Sequence, residues 1–359
     1  MPVYRNPDFL RLPNGLAAIF EGAARDSFFA LPGWYDLMAR HGVPPQSETR
    51  VYCDERPVGS VALALRVVEE RGGRRLASLA NFYSVEHGIL GTPAAEITAG
   101  LGAIVGEILT EAPRWDAIAL DELDPRAPSY RAALRVLRRA GLLTECVFHS
   151  GTWYEDTGGM NFAEYLAQRP SRLRNTWRRK RRRLTGGDRL KTAFYAGADG
   201  IDEAIAGYEA IYARSWKPAE AYPAFIPALI RFAAEAGALR LGLSTLDGTP
   251  AAAQFWIVWN GRAVIYKLAH DTRFDDLSLG TLLTMEMIER VLGQDRPHEI
   301  NFGRGDDPYK KLWLPKRRER WGITAANPRT RRGLGLGLKR EAAKLYHRLR
   351  GEPVGAPLG

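Results

Sequence analysis

The sequence predicts an α/β protein of mixed sheets in two similar units. Three observations predict it: strand-like apolar runs alternate with helical patterns along the chain, the same order of elements occurs twice, and the turn signals fall at matching places. With 359 residues and 45% hydrophobic content, the chain is long enough for two packed domains. The expected boundaries are a first domain over 1–150, a linker over 151–160, a second domain over 161–326 and a basic tail helix over 327–359.

In the first half, Arg50 to Leu65 reads as two strands joined by a turn at Asp54 to Pro57, followed after Gly72-Gly73 by Leu76 to Phe82. A helix from Ala94 to Leu109, a strand from Asp116 to Leu120, a helix from Ser129 to Ala140 ended by Gly141, and a strand from Leu143 to Phe148 complete it. In the second half, Leu241 to Pro250 turns into Ala252 to Trp259, and Asn260-Gly261 turns that strand into Ala263 to Leu268. Asn-Gly between apolar runs is the strongest short hairpin signal. A helix from Leu279 to Leu292 ended by Gly293, a strand from Glu299 to Phe302, a short helix near Tyr309 to Leu314 and a strand near Arg320 to Thr324 repeat the order.

Between the halves lie helical patterns at Asn161 to Leu166, Arg172 to Leu184, Ile201 to Arg214 and Phe225 to Ala236. Leu173, Trp177 and Leu184 fall on or near one face of the second, among arginines. The alternating glycines of Gly333 to Leu338 have no strand–helix context for a dinucleotide site. A tail helix over Lys339 to Arg350, loosely docked or frayed, is expected instead.

The net charge is +10, and nine basic residues lie between Arg169 and Arg183. Anionic partners are favoured: a nucleotide cofactor, an anionic membrane surface or tRNA, with a merely solvated basic face as the bland alternative. No apolar run is long enough to span a bilayer and the N-terminal residues have no signal-peptide pattern, so a cytoplasmic location is expected. Cys53 and Cys146 stand alone and read as inert thiols, and no His, Cys and carboxylate spacing suggests a metal.

Two stretches carry chemistry. Leu277-Ser-Leu-Gly-Thr-Leu-Leu283 opens a helix with an apolar stripe of Leu279, Leu282, Leu283, Met287 and Val291. Backbone N–H groups of Gly280, Thr281 and Leu282, with Ser278 as a cap, suit a phosphate; an ordinary cap with a loop glycine is the plain alternative. Asn301 to Trp313 presents Asp306, Asp307, Tyr309 and Lys310 past a strand end.

These stretches, the basic segment Arg172 to Leu184 and the strand pair Ala251 to Leu268 resemble the FemAB-like and CelD-like branch of the GNAT acyltransferase superfamily over roughly Asn161 to Ile323. The resemblance implies two tandem GNAT-like domains and transfer of an acyl group, acetyl first, from acyl-CoA to a primary amine on a small molecule or saccharide, in envelope, polysaccharide or secondary-metabolite biosynthesis. It implies CoA binding by Ser278, Gly280, Thr281 and Leu282. Tyr309 would protonate the leaving thiolate, Asp306 would orient or deprotonate the amine, and Lys310 would meet developing negative charge. His270 is a second candidate base, and Gln254, Trp256 and Tyr266 would line the amine pocket from one sheet face. The chain lacks the Gln/Arg-x-x-Gly-x-Gly/Ala loop of ordinary GNAT proteins. Two alternatives therefore stay open: a FemAB-type aminoacyl-tRNA-dependent transferase with the arginine helix facing RNA, and a degenerate GNAT acting as a binding module. The first half has no Ser-x-Gly loop and is assigned to packing and to shaping the acceptor cleft.

Overall fold

A computed structural model describes residues 1–56, 59–70, 72–92, 97–185 and 189–349. Pro57, the first residues of the helix expected from Ala94, and the tail from Arg350 onward lie outside them.

The chain forms two units, Met1–Gly151 with Glu319–Gly359, and Thr152–Arg318. The first contains β1 (Val3–Arg5), α1 (Asn14–Ala24), α2 (Pro32–Leu37), β2 (Thr49–Asp54), β3 (Ser60–Glu70), β4 (Gly73–Ser78), β5 (Leu90–Thr92), α3 (Ile97–Thr110), β6 (Ala117–Leu123), α4 (Pro128–Arg139) and the start of β7 (Leu143–Asp156). The second contains the end of β7, then α5 (Phe162–Ala167), α6 (Ser171–Thr185), β8 (Leu190–Tyr195), α7 (Ile201–Ala213), α8 (Phe225–Glu235), β9 (Leu239–Leu246), β10 (Thr249–Trp259), β11 (Arg262–His270), α9 (Leu279–Gln294), β12 (Glu299–Asn301) and the start of β13 (Lys316–Ala326). The rest of β13 and α10 (Arg331–Leu349) belong to the first unit.

The boundaries therefore differ from those the sequence suggests. Residues 151–156 of the expected linker are strand, because β7 continues to Asp156. Residues 319–326 complete the first unit: β13 pairs antiparallel with β6, Thr324 opposite Ala119 and Ala326 opposite Ala117. The tail is a helix from Arg331, and its start is docked rather than loose. A Cβ on Gly333 would lie 2.1 Å from the Asn327 carbonyl oxygen, so only glycine allows this approach.

In the first unit the sheet order is β1-β2-β3-β4-β6-β13-β7, with β5 also on β3. β2, β3 and β4 form an antiparallel meander, and β6 then pairs parallel with β4 over Arg75–Ala77. The helix α3 makes that crossover, as parallel neighbours require. Pro128 opens α4, where its missing N–H costs nothing, and Gly141 at φ 79° ends it in the left-handed region. Leu101, Ile104, Ile108, Val136 and Leu137 of α3 and α4 bury their apolar faces in the first core.

In the second unit the order is β7-β12-β11-β10-β9-β8. The element order repeats: β9, β10 and β11 form the antiparallel meander, α9 is the crossover, and β12 pairs parallel with β11. Asn260 at φ 45° and Gly261 at φ 73° make the tight turn from β10 to β11 that their dipeptide predicts. Asn161 caps α5 through a full capping box with Glu164. The core holds Leu173, Trp177 and Leu184 of α6, as their spacing predicts, together with the stripe of α9. Strand β8 has no counterpart in the sequence reading, nor do α1 and α2.

Candidate functional site

Strands β11 and β12 separate early. Their parallel pairing covers only Arg262–Val264 against Glu299–Asn301, whereas β11 continues to His270. From Ile265 onward that side of β11 has no strand partner among the described residues. The loop after β12 carries the chain from this edge through Gly303 and Gly305, both at positive φ, into a short 3-10 helix, Pro308–Leu312.

α9 begins beyond the same end of β11. Its approach to the sheet depends on Gly242 of β9, where a Cβ would lie 2.8 Å from Met287 Sδ. Ser278 precedes the helix at φ 57° and ψ 41°, a left-handed conformation uncommon outside glycine. Its side chain makes no cap. Instead its carbonyl accepts the N–H groups of Thr281 at 3.0 Å and Leu282 at 3.2 Å. The N–H groups expected from Thr281 and Leu282 are thus turned into the helix, and Leu279 and Gly280 supply the donors that precede the first helical bonds. Lys180 of α6 donates to the Asp276 carbonyl in the turn ahead of α9, so the basic helix and this N-terminus adjoin. Asp271 is buried and fixes the turn: it accepts from the Arg273 backbone and guanidinium, and Arg273 holds its carboxyl below the usual range.

His270 comes to the mouth of this helix. Its Nε2 lies 2.8 Å from Asp275 Oδ1, its ring lies 4.6 Å from that of Trp216, and its Nδ1 would meet a Cβ on Gly280 at 3.4 Å. The structure therefore brings His270 and Gly280 together, with Asp275 orienting the imidazole.

The pocket-lining trio is not one surface. Gln254 is fully buried, its amide donating to Thr284 Oγ1 at 2.5 Å and the Gly280 carbonyl at 3.3 Å, while its oxygen accepts from Trp256 Nε1 at 2.9 Å. It clamps the first turn of α9, and Trp256 lies in the core among α9 side chains. Tyr266 packs edge-on to Phe255 on the opposite face, with ring centroids 5.4 Å apart. A β-bulge between Phe255 and Trp256 shifts the register, which is why alternation alone misplaces Tyr266.

The residues after β12 divide in role. Arg317 grips Asp306 through two nitrogens, at 3.0 and 2.6 Å, and holds its carboxyl below the usual range. A carboxylate so stabilised is a weak base. Lys310 is buried, donating to the carbonyls of Arg304 at 3.3 Å and Gly305 at 3.1 Å and pairing with Asp307 at 2.9 Å. It shapes the loop. Tyr309 is 44% exposed beside Phe302, and partial burial with the Asp307 charge pushes its phenol up to about 12. The hydroxyl stays protonated and is a donor, but a poorer acid than an ordinary phenol. Behind this loop, Arg169 and Tyr165 hold the Trp313 carbonyl, and Arg169 pairs with Glu155 at 2.6 Å in the interior.

A group the sequence reading missed lies beside these residues. Lys217 is half-buried with Lys267, Glu220, Lys310 and Asp307 nearby. Burial and the Lys267 charge lower its ammonium to about 8. Lys267 itself pairs with Glu220 at 2.7 Å. The one available signal was Lys267, a charge inside the apolar run of β11.

Residues 171–311 match the family model described as an acetyltransferase (GNAT) domain. That segment is similar to GNAT acetyltransferase domains. No curated protein matches it. Among solved structures it is similar to FemX, at 11% identity and a TM-score of 0.58, over 90% of this chain and 97% of that one. It is also similar to a conserved protein of unknown function from Bacteroides thetaiotaomicron VPI-5482, at 11% identity and a TM-score of 0.52, over 82% and 90%. These likenesses concern the fold. The matched segment starts at α6 and ends in the 3-10 helix, so it contains the basic helix, the separated strands and the N-terminus of α9. No described helix is long and apolar enough to cross a membrane.

Proposed function

We propose that the chain is an N-acyltransferase that moves an acyl group, acetyl first, from acyl-CoA to a primary amine by direct attack. One observation carries this reading: β11 parts from β12 after three paired residues, and the edge so opened leads to the N-terminus of α9. An extended chain bearing amides can add to such an edge as a strand does. A pyrophosphate at its end then meets the Leu279 and Gly280 N–H groups and the positive end of the helix dipole. Lys180 and the exposed arginines of α6 supply further positive charge at that end.

Direct transfer needs an uncharged amine. Lys217, when neutral, takes a proton from the acceptor ammonium; the freed nitrogen attacks the thioester carbonyl carbon, and the C–S bond breaks with the electron pair leaving on sulfur. Tyr309 donates a hydrogen bond to that thiolate, which at a pKa near that of an ordinary thiol needs stabilisation more than full protonation. The second amine proton leaves to the thiolate or solvent. Asp306 holds Arg317 and the loop in place, and His270 with Asp275 is the base to test if Lys217 is not. The acceptor fits the small amine or saccharide class implied by the family resemblance.

The test is thermal stabilisation of the whole chain by acetyl-CoA, CoA and aminoacyl-tRNA. Saturation at a hundredfold over Kd stabilises by about 2.7 kcal/mol. Stabilisation by acetyl-CoA and CoA supports the reading. Stabilisation by aminoacyl-tRNA alone moves the chain to the tRNA-dependent class, and no response to any donor leaves the binding-module reading.

A further inference from the structure

The first unit contains a cavity of about 240 Å³ whose lining includes Tyr35, His87, Glu86, Asp124, Arg320 and Phe29. Two of these groups are orphaned. Tyr35 is 0% and His87 6% exposed, and neither the tyrosine hydroxyl nor either imidazole nitrogen has a hydrogen-bond partner among the described residues. Buried polar groups are almost always paired, and each one left unmade costs about 1–3 kcal/mol. Two such side chains line one cavity with their rings 5.8 Å apart, so their polar atoms can be met together by one small ligand.

The charged groups named around them already have partners. Glu86 accepts from Ser27 Oγ at 2.5 Å and from Arg320 at 2.7 Å, and Arg320 also faces Asp124 at 3.7 Å. Burial keeps the imidazole uncharged and the phenol protonated. What remains on offer is a phenol donor, an imidazole that both donates and accepts, and the apolar ring of Phe29. A charged ligand would upset the balance; one bearing several hydroxyls on a carbon ring would complete it. The volume lies below the roughly 300–1,000 Å³ of drug-sized sites, so the ligand is a single ring.

We propose that the first unit carries a binding site for a small neutral polyol, a single-ring sugar or cyclitol, whose hydroxyls complete the hydrogen bonding of Tyr35 and His87. This goes beyond acyl transfer and rests on the first unit's residues alone. The experiment titrates the whole chain with glucose and myo-inositol, and with glucose 6-phosphate and spermidine as charged probes, following the His87 ring signals by NMR and the heat by calorimetry. A neutral polyol that shifts the His87 signals and loses at least tenfold in affinity in Tyr35→Phe, with acetyl-CoA binding unchanged, is the expected result. His87 signals unmoved by either polyol, equal affinity in Tyr35→Phe, or a response only to the charged probes would each overturn the site.

Discussion

The two units follow one plan and finish it differently. Each has an antiparallel meander, a crossover helix and a parallel pair held over three residues, Arg75–Ala77 with Ala117–Ala119 in one and Arg262–Val264 with Glu299–Asn301 in the other. In the first unit β4 ends at Ser78, one residue past the pairing, so β4 itself has no long run beyond the parting. In the second, β11 runs on to His270. The lesson is that strand length after the parting decides whether the fold offers a cleft.

The largest expected effect tests what the units share. Each buries an arginine on a carboxylate and beside a tryptophan: Arg50 with Glu111 near Trp115, and Arg169 with Glu155 at the Trp313 carbonyl. Removing one partner of a buried pair costs about 3–5 kcal/mol. Arg50→Ala and Arg169→Ala should both lower the free energy of unfolding by that much, read from urea denaturation, and only Arg169→Ala should also slow transfer at temperatures where both fold. Equal losses of turnover would erase the distinction between the units.

The next concerns the first unit alone. Burial lowers His87 to about 4 from its ordinary 6.5, against a raising influence from Glu122. The unfolded chain therefore binds the extra proton first, and this contribution is present above pH 6.5 and lost as pH falls toward 4. The loss is on the order of 3 kcal/mol. Urea unfolding across that window should show it in the natural sequence and not in His87→Leu.

For the second unit, Gly280→Asp places a carboxylate at the helix mouth and should weaken CoA binding by about a hundredfold or more, through repulsion and lost approach, with the melting temperature held. Undiminished affinity would remove the donor site from α9. Lys217→Met should lower kcat/KM by about a hundredfold and abolish the limb that rises with pH toward about 8, because only the neutral amine accepts a proton. A preserved limb would transfer the role to His270. The smallest effect is Tyr309→Phe: a hydrogen bond to the leaving sulfur is lost, and turnover should fall by about tenfold with CoA affinity unchanged.

Much of this was legible in the sequence. Asn260-Gly261 fixes a hairpin, the α9 stripe and the spacing of Leu173, Trp177 and Leu184 fix buried faces, and the repeated order gives the units, because each is a local pattern of 2 or 3.6 residues. What was hidden is set by partners. Strand β8 lies at the sheet edge with exposed Lys191 and Ala193 between half-buried neighbours, too weak an alternation to stand out. The Phe255 bulge moves Tyr266 to the other face, and Arg317 claims Asp306 from eleven residues away. Lys217 acquires its character only when the fold buries it and brings Lys267 beside it.

The return of β13 has a consequence for synthesis. The second unit is one unbroken stretch from Thr152 to Arg318, complete as soon as its last residue leaves the ribosome, whereas the first must wait for Glu319–Ala326 to cover β6. Until then β6 offers a bare row of amide and carbonyl groups to any neighbouring strand. Chains stopped at Arg318 should aggregate through that edge, even though every residue proposed for acyl transfer is already in place.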